Sequence, residues 1–204
     1  MGIKHPTSWM PSRSPDRNAI ALPAPIPLDV FAKASLVQEQ HGIDEDTPLF
    51  VFDDSPRRVR CAVECFATYF RRTFEYDFVQ YDADDTSDDA RSCAALLCLS
   101  KGDGVLPVGA AGLEVRIGAS GVAHCGLAWA WVHPYFRGRR TFDRYSLFAQ
   151  AWPGIRRAAA TVGRLAIEPP ISREMLGFLR ARGEEFEGDS ILLKDKAQSE
   201  ALAQ

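Results

Sequence analysis

Residues 133–142, HPYFRGRRTF, place three arginines around a glycine directly after an apolar run. Arg137, Arg139 and Arg140 can each donate charge-assisted hydrogen bonds, and Gly138 lets the backbone approach a ligand closely. If a helix begins after them, its unpaired N–H groups add partial positive charge, which suits a phosphate or a diphosphate. The alternative is a solvated turn, and the elements around the stretch decide between the two.

The composition is typical of a globular domain. The 204 residues are 46% hydrophobic and 25% charged, with a formal net charge of -3. That balance does not favour nucleic acid or an anionic membrane as a partner. No apolar run approaches the roughly 20 residues of a membrane-spanning helix, and the first residues lack the apolar core of a signal peptide. We therefore expect a cytoplasmic protein with no membrane partner.

The sequence predicts no metal site. Its five cysteines form no CxxC pair, and neither histidine nor further cysteine stands at ligand spacing from them. We expect these cysteines to be small buried side chains in a reducing compartment. The acidic run at 82–89 lacks the glycine and the terminal glutamate of an EF-hand, so a solvated loop is expected there.

The pattern divides the chain into an N-terminal arm over 1–27, a single domain over 28–195 and a tail over 196–204. The arm is rich in Pro and Ser, so we expect it to lack regular structure, either disordered or wrapped around the domain with Trp9 as an anchor, and to be dispensable for folding. Helices are predicted over 28–40 and from Ser55, as the N-cap, to residue 74. The second of these helices carries an apolar stripe made by Val59, Val63, Phe66, Phe70 and Phe74.

Three strand-like runs over 92–132 predict an antiparallel meander, with its first turn at KGDG, residues 101–104. A helix over 139–152 should begin at the arginines, and Pro153-Gly154 should kink or interrupt it. A short strand, another helix and a closing strand follow. This order predicts an α/β fold with a mixed, mostly antiparallel central sheet flanked by helices.

In this context residues 92–193 resemble the GNAT superfamily of N-acetyltransferases. The family has a strand ending in V-x-P, then R-G-x-G-x-G/A at the start of a helix. The matching stretch is Val132-His133-Pro134-Tyr135-Phe136-Arg137-Gly138, and Gly183 falls at the family's turn glycine. The resemblance implies that acetyl-CoA binds here as a co-substrate, with its diphosphate in the loop between a splayed strand and the next helix.

The resemblance assigns cofactor binding to Val132, Arg137, Gly138, Arg139, Arg140, Thr141 and Ser172. The sequence also departs from the family pattern. The second and third loop glycines are Arg140 and Phe142, and the position where many members carry an asparagine falls near Ser172. The frequent catalytic tyrosine is replaced by Leu179. The arginines would either crowd the phosphates or replace backbone amides as their ligands.

The chemistry of such an enzyme needs a base for the amine and an acid for the leaving thiolate. Glu114 in the meander and Glu168 at the end of a short strand are candidate bases. Tyr145, one turn into the helix after the loop, is a candidate proton donor. Solvated carboxylates and core packing are the structural alternatives. Trp129 and Trp131 share a strand face and either form core or line a ligand channel.

Two functions remain open at this point. The first is an acyl-CoA-dependent N-acyltransferase that moves acetyl from acetyl-CoA directly to an amine acceptor. The protein could also form a homodimer. The second is a catalytically silent module that holds CoA or another phosphorylated ligand. The context from Val132 to Gly138 favours the enzyme, whereas Leu179 and the replaced glycines favour the module.

Overall fold

The described part of the chain forms one eight-stranded sheet with helices on both faces. The computed structural model describes residues 20–43, 48–75, 81–85, 92–117, 121, 123–137, 147–167, 171, 173–184, 186–187 and 191–193. None of the helices in these ranges is long and apolar enough to cross a membrane.

The described residues contain four α-helices and eight strands. The first half contains β1 (Ile26–Pro27), α1 (Leu28–Gln40), β2 (Leu49–Val51), α2 (Arg57–Phe74), β3 (Ser92–Lys101) and β4 (Gly104–Ile117). The second half contains β5 (Ala123–Val132), α3 (Leu147–Ala160), β6 (Arg164–Ile167), α4 (Arg173–Ala181), β7 (Phe186–Glu187) and β8 (Ile191–Leu193). A short 3-10 helix, Pro134–Phe136, follows β5.

The sheet has the strand order β2-β3-β4-β5-β6-β8-β7, and β1 pairs with the start of β4. Every described pairing is antiparallel except that of β5 with β6. The predicted meander is confirmed, and its first turn is the two-residue loop after Lys101, where Gly102 has a φ of +57°. The predicted fold class, a mixed and mostly antiparallel sheet flanked by helices, is confirmed.

Two hydrophobic cores cover the two faces of the sheet. One core lies under α3 and α4 and includes Phe148, Trp152, Ile155 and Leu179. The other lies under α1 and α2 and includes Ala34, Val59, Val63, Phe66 and Phe70. The predicted apolar stripe of α2 is therefore the face that packs on the sheet, with Phe74 at its partly buried end.

An extra residue interrupts the regular pairing of β4 with β5. Gly112 is opposite Trp129, but the next residue of β4, Leu113, is opposite Leu127. Ala128 therefore has no partner on β4 and forms a β-bulge. Such a bulge bends its strand and increases the local twist.

Side chains at odd-numbered positions of β5 face one core before the bulge and the other core after it. Cys125 and Leu127 belong to the core under α3 and α4. Trp129 and Trp131 belong to the core under α1 and α2, although all four positions are odd-numbered. In an uninterrupted strand, residues two apart lie on the same face, so the change of face requires the extra residue at Ala128.

The prediction that residues 1–27 lack regular structure is wrong at its end, because Ile26 and Pro27 pair with Val105 and Gly104. Ile26 is fully buried in the core under α1 and α2. Deleting the whole segment would remove this core side chain, so we expect the deletion to lower the free energy of unfolding. That the domain still folds without residues 1–27 stays a prediction. Residues 1–19 lie outside the described residues.

Two helix boundaries also differ from prediction. Pro56, not Ser55, occupies the N-cap of α2, and the Ser55 hydroxyl accepts a hydrogen bond from the Phe52 N–H at 3.0 Å. The helix α3 continues through Pro153 without interruption. The segment 139–146, where this helix was predicted to begin, lies outside the described residues.

The close packing of Trp129 on Gly112 gives the first testable prediction. A Cβ at Gly112 would overlap the Trp129 indole nitrogen, so Gly112→Ala should lower the free energy of unfolding by about 2 kcal/mol. Gly177→Ala is the matched control, because Gly177 is exposed in α4 with no atom near its missing Cβ. Gly177→Ala should raise the free energy of unfolding by about 0.5–1 kcal/mol, because alanine favours a helix more than glycine does. Chemical denaturation measures both, and equal shifts would contradict the packing.

Candidate functional site

The candidate site is the edge of β5 from Ala128 to Val132, which we call the β5 edge. Parallel pairing with β6 covers only the first part of β5 and ends where Leu127 is opposite Ile167. Within the described residues, no strand pairs with the β5 edge on the side that β6 would occupy. Apart from contacts with the residues that follow β5, backbone groups on this side have no strand partner among the described residues, so an extended ligand can pair with them.

The direction of these backbone groups follows from one hydrogen bond. The His133 N–H donates to the Val108 carbonyl on β4 at 2.9 Å. Alternate residues of an antiparallel strand point their N–H and C=O groups to the same neighbour. The N–H and C=O groups of Trp131 therefore point toward β4, as those of His133 do. The N–H and C=O groups of Ala130 and Val132 point away from β4, to the open side of the β5 edge.

Arg137 folds back onto the end of the β5 edge. Its Nε donates a hydrogen bond to the Val132 carbonyl, and its guanidinium carbon lies 5.0 Å from the centre of the Trp131 ring. The Arg137 side chain is exposed. Two of the predicted cofactor-binding residues, Val132 and Arg137, are thus brought together in the structure.

His133 and the short 3-10 helix set the course of the chain between β5 and the arginines. The His133 ring is buried, and its Nδ1 accepts a hydrogen bond from the Tyr135 N–H at 3.1 Å. The Phe136 N–H donates to the His133 carbonyl at 2.9 Å, and the Arg137 N–H donates to the Pro134 carbonyl at 3.3 Å. These bonds place Arg137 beside Val132.

The Trp131 side chain anchors the β5 edge in the core under α1 and α2. Its indole is almost fully buried against Phe66 and Tyr69, with ring centres at 5.8 Å and 5.3 Å. The prediction that Trp129 and Trp131 share a face is confirmed, and both are core residues. No acceptor for the Trp131 indole N–H is found in the described part of the chain.

Glu114 lies far from the arginine end of the site. Its carboxylate pairs with Arg116 on the same strand at 2.7 Å, in an exposed position. Glu114 is opposite Gly126, one residue before the end of the β5–β6 pairing. Gly109, the partner of Val132, is five residues away on β4, or about 17 Å along a strand. Only a long ligand could reach both ends.

The remaining predicted site residues lie outside the described residues. They are Gly138, Arg139, Arg140, Thr141, Tyr145, Glu168 and Ser172. Their positions in the sequence remain informative, because Glu168 directly follows the last residue of β6, and Arg139 and Arg140 follow Arg137 after one glycine. Their assignment to the site stays a prediction.

The thiols of the sheet are unsuited to nucleophilic chemistry. Burial raises the pKa of Cys93 and Cys98 to about 12 and the pKa of Cys125 to about 11. The nucleophile is the thiolate, so these cysteines stay protonated and unreactive at neutral pH. Among the described residues, no group of three or more His, Cys, Asp or Glu side chains could hold a metal ion.

Sequence reasoning missed two features of the site. The backbone of Ala130 is one of them, because an alanine carries no chemical signal of its own. The other is His133, whose side chain joins the turn to another part of the chain. A signal for the second was present, since a polar residue directly before Pro134 is a common start of a helical turn.

Comparison with known proteins gives distant likenesses. No family model matches the chain, and no curated protein matches it. A mutant of the AtaT toxin bound to the C-terminus of the antitoxin AtaR and acetyl-CoA is 16% identical, with a TM-score of 0.44, over 76% of this chain and 96% of that one. A ribosomal-protein-alanine N-acetyltransferase from Brucella melitensis biovar Abortus 2308 is 12% identical, with a TM-score of 0.35, over 84% and 98% of the two chains.

The contacts of Arg137 predict that this residue also stabilises the ligand-free protein. Arg137→Ala removes the hydrogen bond to Val132 and the contact with Trp131, so the free energy of unfolding should fall by about 1 kcal/mol. Arg157→Ala, at an exposed position of α3, is the control and should change it by less than about 0.5 kcal/mol. Denaturant titrations that gave the same value for both variants would contradict a structural role for Arg137.

Proposed function

We propose that this protein is an acyl-CoA-dependent N-acyltransferase that moves an acetyl group from acetyl-CoA to an amine. The observation that carries the proposal is the β5 edge, where the strand continues to Val132 after its pairing with β6 has ended at Leu127. An extended ligand with amide groups can pair with such an edge as an added strand would. The arm of CoA contains two amides and has this shape.

The arginine end of the site fits the phosphates of the same ligand. Arg137 stands at the end of the β5 edge, and Arg139 and Arg140 follow it in the sequence. Guanidinium groups bind phosphate oxygens through paired, charge-assisted hydrogen bonds. In this proposal the two later arginines, with Gly138 and Thr141, hold the diphosphate in place of the missing loop glycines.

The other end of the β5 edge would hold the thioester. This end lies beside Leu127 and Ile167, where β5 and β6 cease to pair, and Glu168 is the next residue of the chain. Glu168 is therefore our proposed base, acting directly or through a water molecule. Glu114 is the second choice, because its carboxylate is already paired with Arg116.

The proposed reaction is a direct transfer. The amine loses a proton to the base and attacks the thioester carbonyl, a C–N bond forms, and the C–S bond breaks. The CoA thiolate leaves and takes up a proton, for which Tyr145 is the candidate donor. A covalent acyl-cysteine at Cys93, Cys98 or Cys125 is disfavoured, because burial raises the pKa of all three thiols.

One observation favours the second candidate, a silent module that binds CoA without turnover. Leu179 occupies the position where the GNAT resemblance would place a catalytic tyrosine, and its side chain is fully buried in the core. This position supplies no proton. The enzyme therefore depends on Tyr145 or on solvent for the acid, and the module does not need one.

Binding of acetyl-CoA tests what both candidates share. Acetyl-CoA at a hundredfold excess over its dissociation constant should stabilise the folded protein by about 2.7 kcal/mol, seen as a higher melting temperature. The shift should shrink near 1 M salt, where the Debye length is about 3 Å. The double variant Arg139→Ala/Arg140→Ala should lose it. The double variant Arg157→Ala/Arg173→Ala, at exposed positions of α3 and α4, should keep it. No shift in the parent protein would exclude the proposal.

Turnover separates the enzyme from the module. Glu168→Gln should lower kcat by roughly 100-fold or more while leaving the acetyl-CoA melting shift intact, because it removes a base and not a binding group. Glu114→Gln should leave kcat nearly unchanged. Release of free CoA across a panel of amines is the measurement. If Glu114→Gln alone abolishes turnover, the base is assigned wrongly, and if the parent protein binds without turnover, the module is correct.

A further inference from the structure

Three side chains, two on α2 and one in the turn after β5, donate hydrogen bonds to the backbone of residues 20–27, which we call the N-terminal segment. His133 donates from Nε2 to the Ile20 carbonyl at 3.0 Å, and the Tyr69 hydroxyl donates to the Ala21 carbonyl at 2.9 Å. Arg58 donates from Nη2 to the Pro25 carbonyl at 2.8 Å. The segment is fixed through its carbonyl groups as well as by the burial of Ile26.

The composition of the N-terminal segment explains this mode of attachment. Prolines at positions 23, 25 and 27 have no N–H, so the segment cannot pair along its whole length as a strand would. Only Ile26 and Pro27 pair with β4. Before Ile26, the carbonyls of Ile20, Ala21 and Pro25 accept hydrogen bonds from the three side chains.

His133 is the one of these three that also belongs to the candidate site. Its Nδ1 accepts from the Tyr135 N–H, and its Nε2 faces the Ile20 carbonyl, which can only accept. The ring therefore has its proton on Nε2 and uses both nitrogens. A single buried ring thus joins the N-terminal segment to the turn that carries Arg137.

We propose that His133 is a positioning residue, through which the docked N-terminal segment fixes the turn from Pro134 to Arg137 and so sets the affinity of the site for acetyl-CoA. The step that concerns affinity rests on the proposed function. The step that concerns the turn does not, because it can be measured without a ligand. The segment acts at a distance from the chemistry, by limiting the positions that Arg137 can take.

Two variants of the full-length chain separate this role from simple stability. His133→Asn keeps an acceptor for the Tyr135 N–H, since asparagine caps such turns well, but is too short to reach Ile20. Tyr69→Phe releases the Ala21 carbonyl and leaves every atom of the turn unchanged. The variant Arg157→Ala, on the surface of α3, serves as the control that touches neither the segment nor the turn.

The measurements are amide hydrogen exchange at Tyr135 and Arg137 without ligand, and the dissociation constant for acetyl-CoA. We expect exchange at the turn and the dissociation constant to rise in both variants, each of which loses one hydrogen bond to the N-terminal segment. The rise should be about fivefold in His133→Asn, which also loses its ring contact with Phe136, and smaller in Tyr69→Phe. Arg157→Ala should change neither. Both variants should also exchange faster at residues 20–26.

Faster exchange in the N-terminal segment with no change at the turn would overturn the proposal. Faster amide exchange at the turn with an unchanged dissociation constant for acetyl-CoA would overturn the step that concerns affinity. If the parent protein binds no acetyl-CoA, the proposed function fails instead, and exchange at Tyr135 and Arg137 still decides whether His133 couples the segment to the turn.

Discussion

The extra residue in β5, Ala128, is the constraint on which the rest of the site depends. Two strands that pair regularly must keep the same residues on the same face, and a single unpaired residue shifts that alternation. After Ala128, the tryptophans of β5 turn toward α2, and Trp129 packs directly on Gly112. The strand also parts from β6 at this point, since Leu127 is its last paired residue.

The consequences run from the bulge to the end of the strand. Trp131 is held among Phe66 and Tyr69, and its ring in turn supports Arg137. Val132 keeps its backbone pointed away from β4, where its carbonyl accepts from Arg137. The proposed cofactor site is therefore an outcome of sheet geometry more than of any catalytic side chain. In the proposal, backbone groups of β5 bind most of the ligand, and Arg137 adds charge at one end.

The sequence predicted the elements well, because their signals are local. Periodicity located α2, and the stretch KGDG located the turn between β3 and β4. It did not predict the bulge, because the run from Leu127 to Trp131 alternates in size and looks regular. Nor did it predict that Ile26 joins the sheet, since the surrounding prolines favoured an arm. Both features arise from pairing between distant parts of the chain.

The most direct test of the account is the behaviour of the Ala130 and Val132 amides when acetyl-CoA is added. NMR of the amide groups can follow them, with Trp131, whose N–H points toward β4, as the internal reference. If the β5 edge binds the cofactor, exchange at Trp131 should be slow throughout, and exchange at Ala130 or Val132 should be fast without ligand and slow with it. Binding of acetyl-CoA that left both amides unprotected would contradict the claim that the β5 edge is the cofactor site.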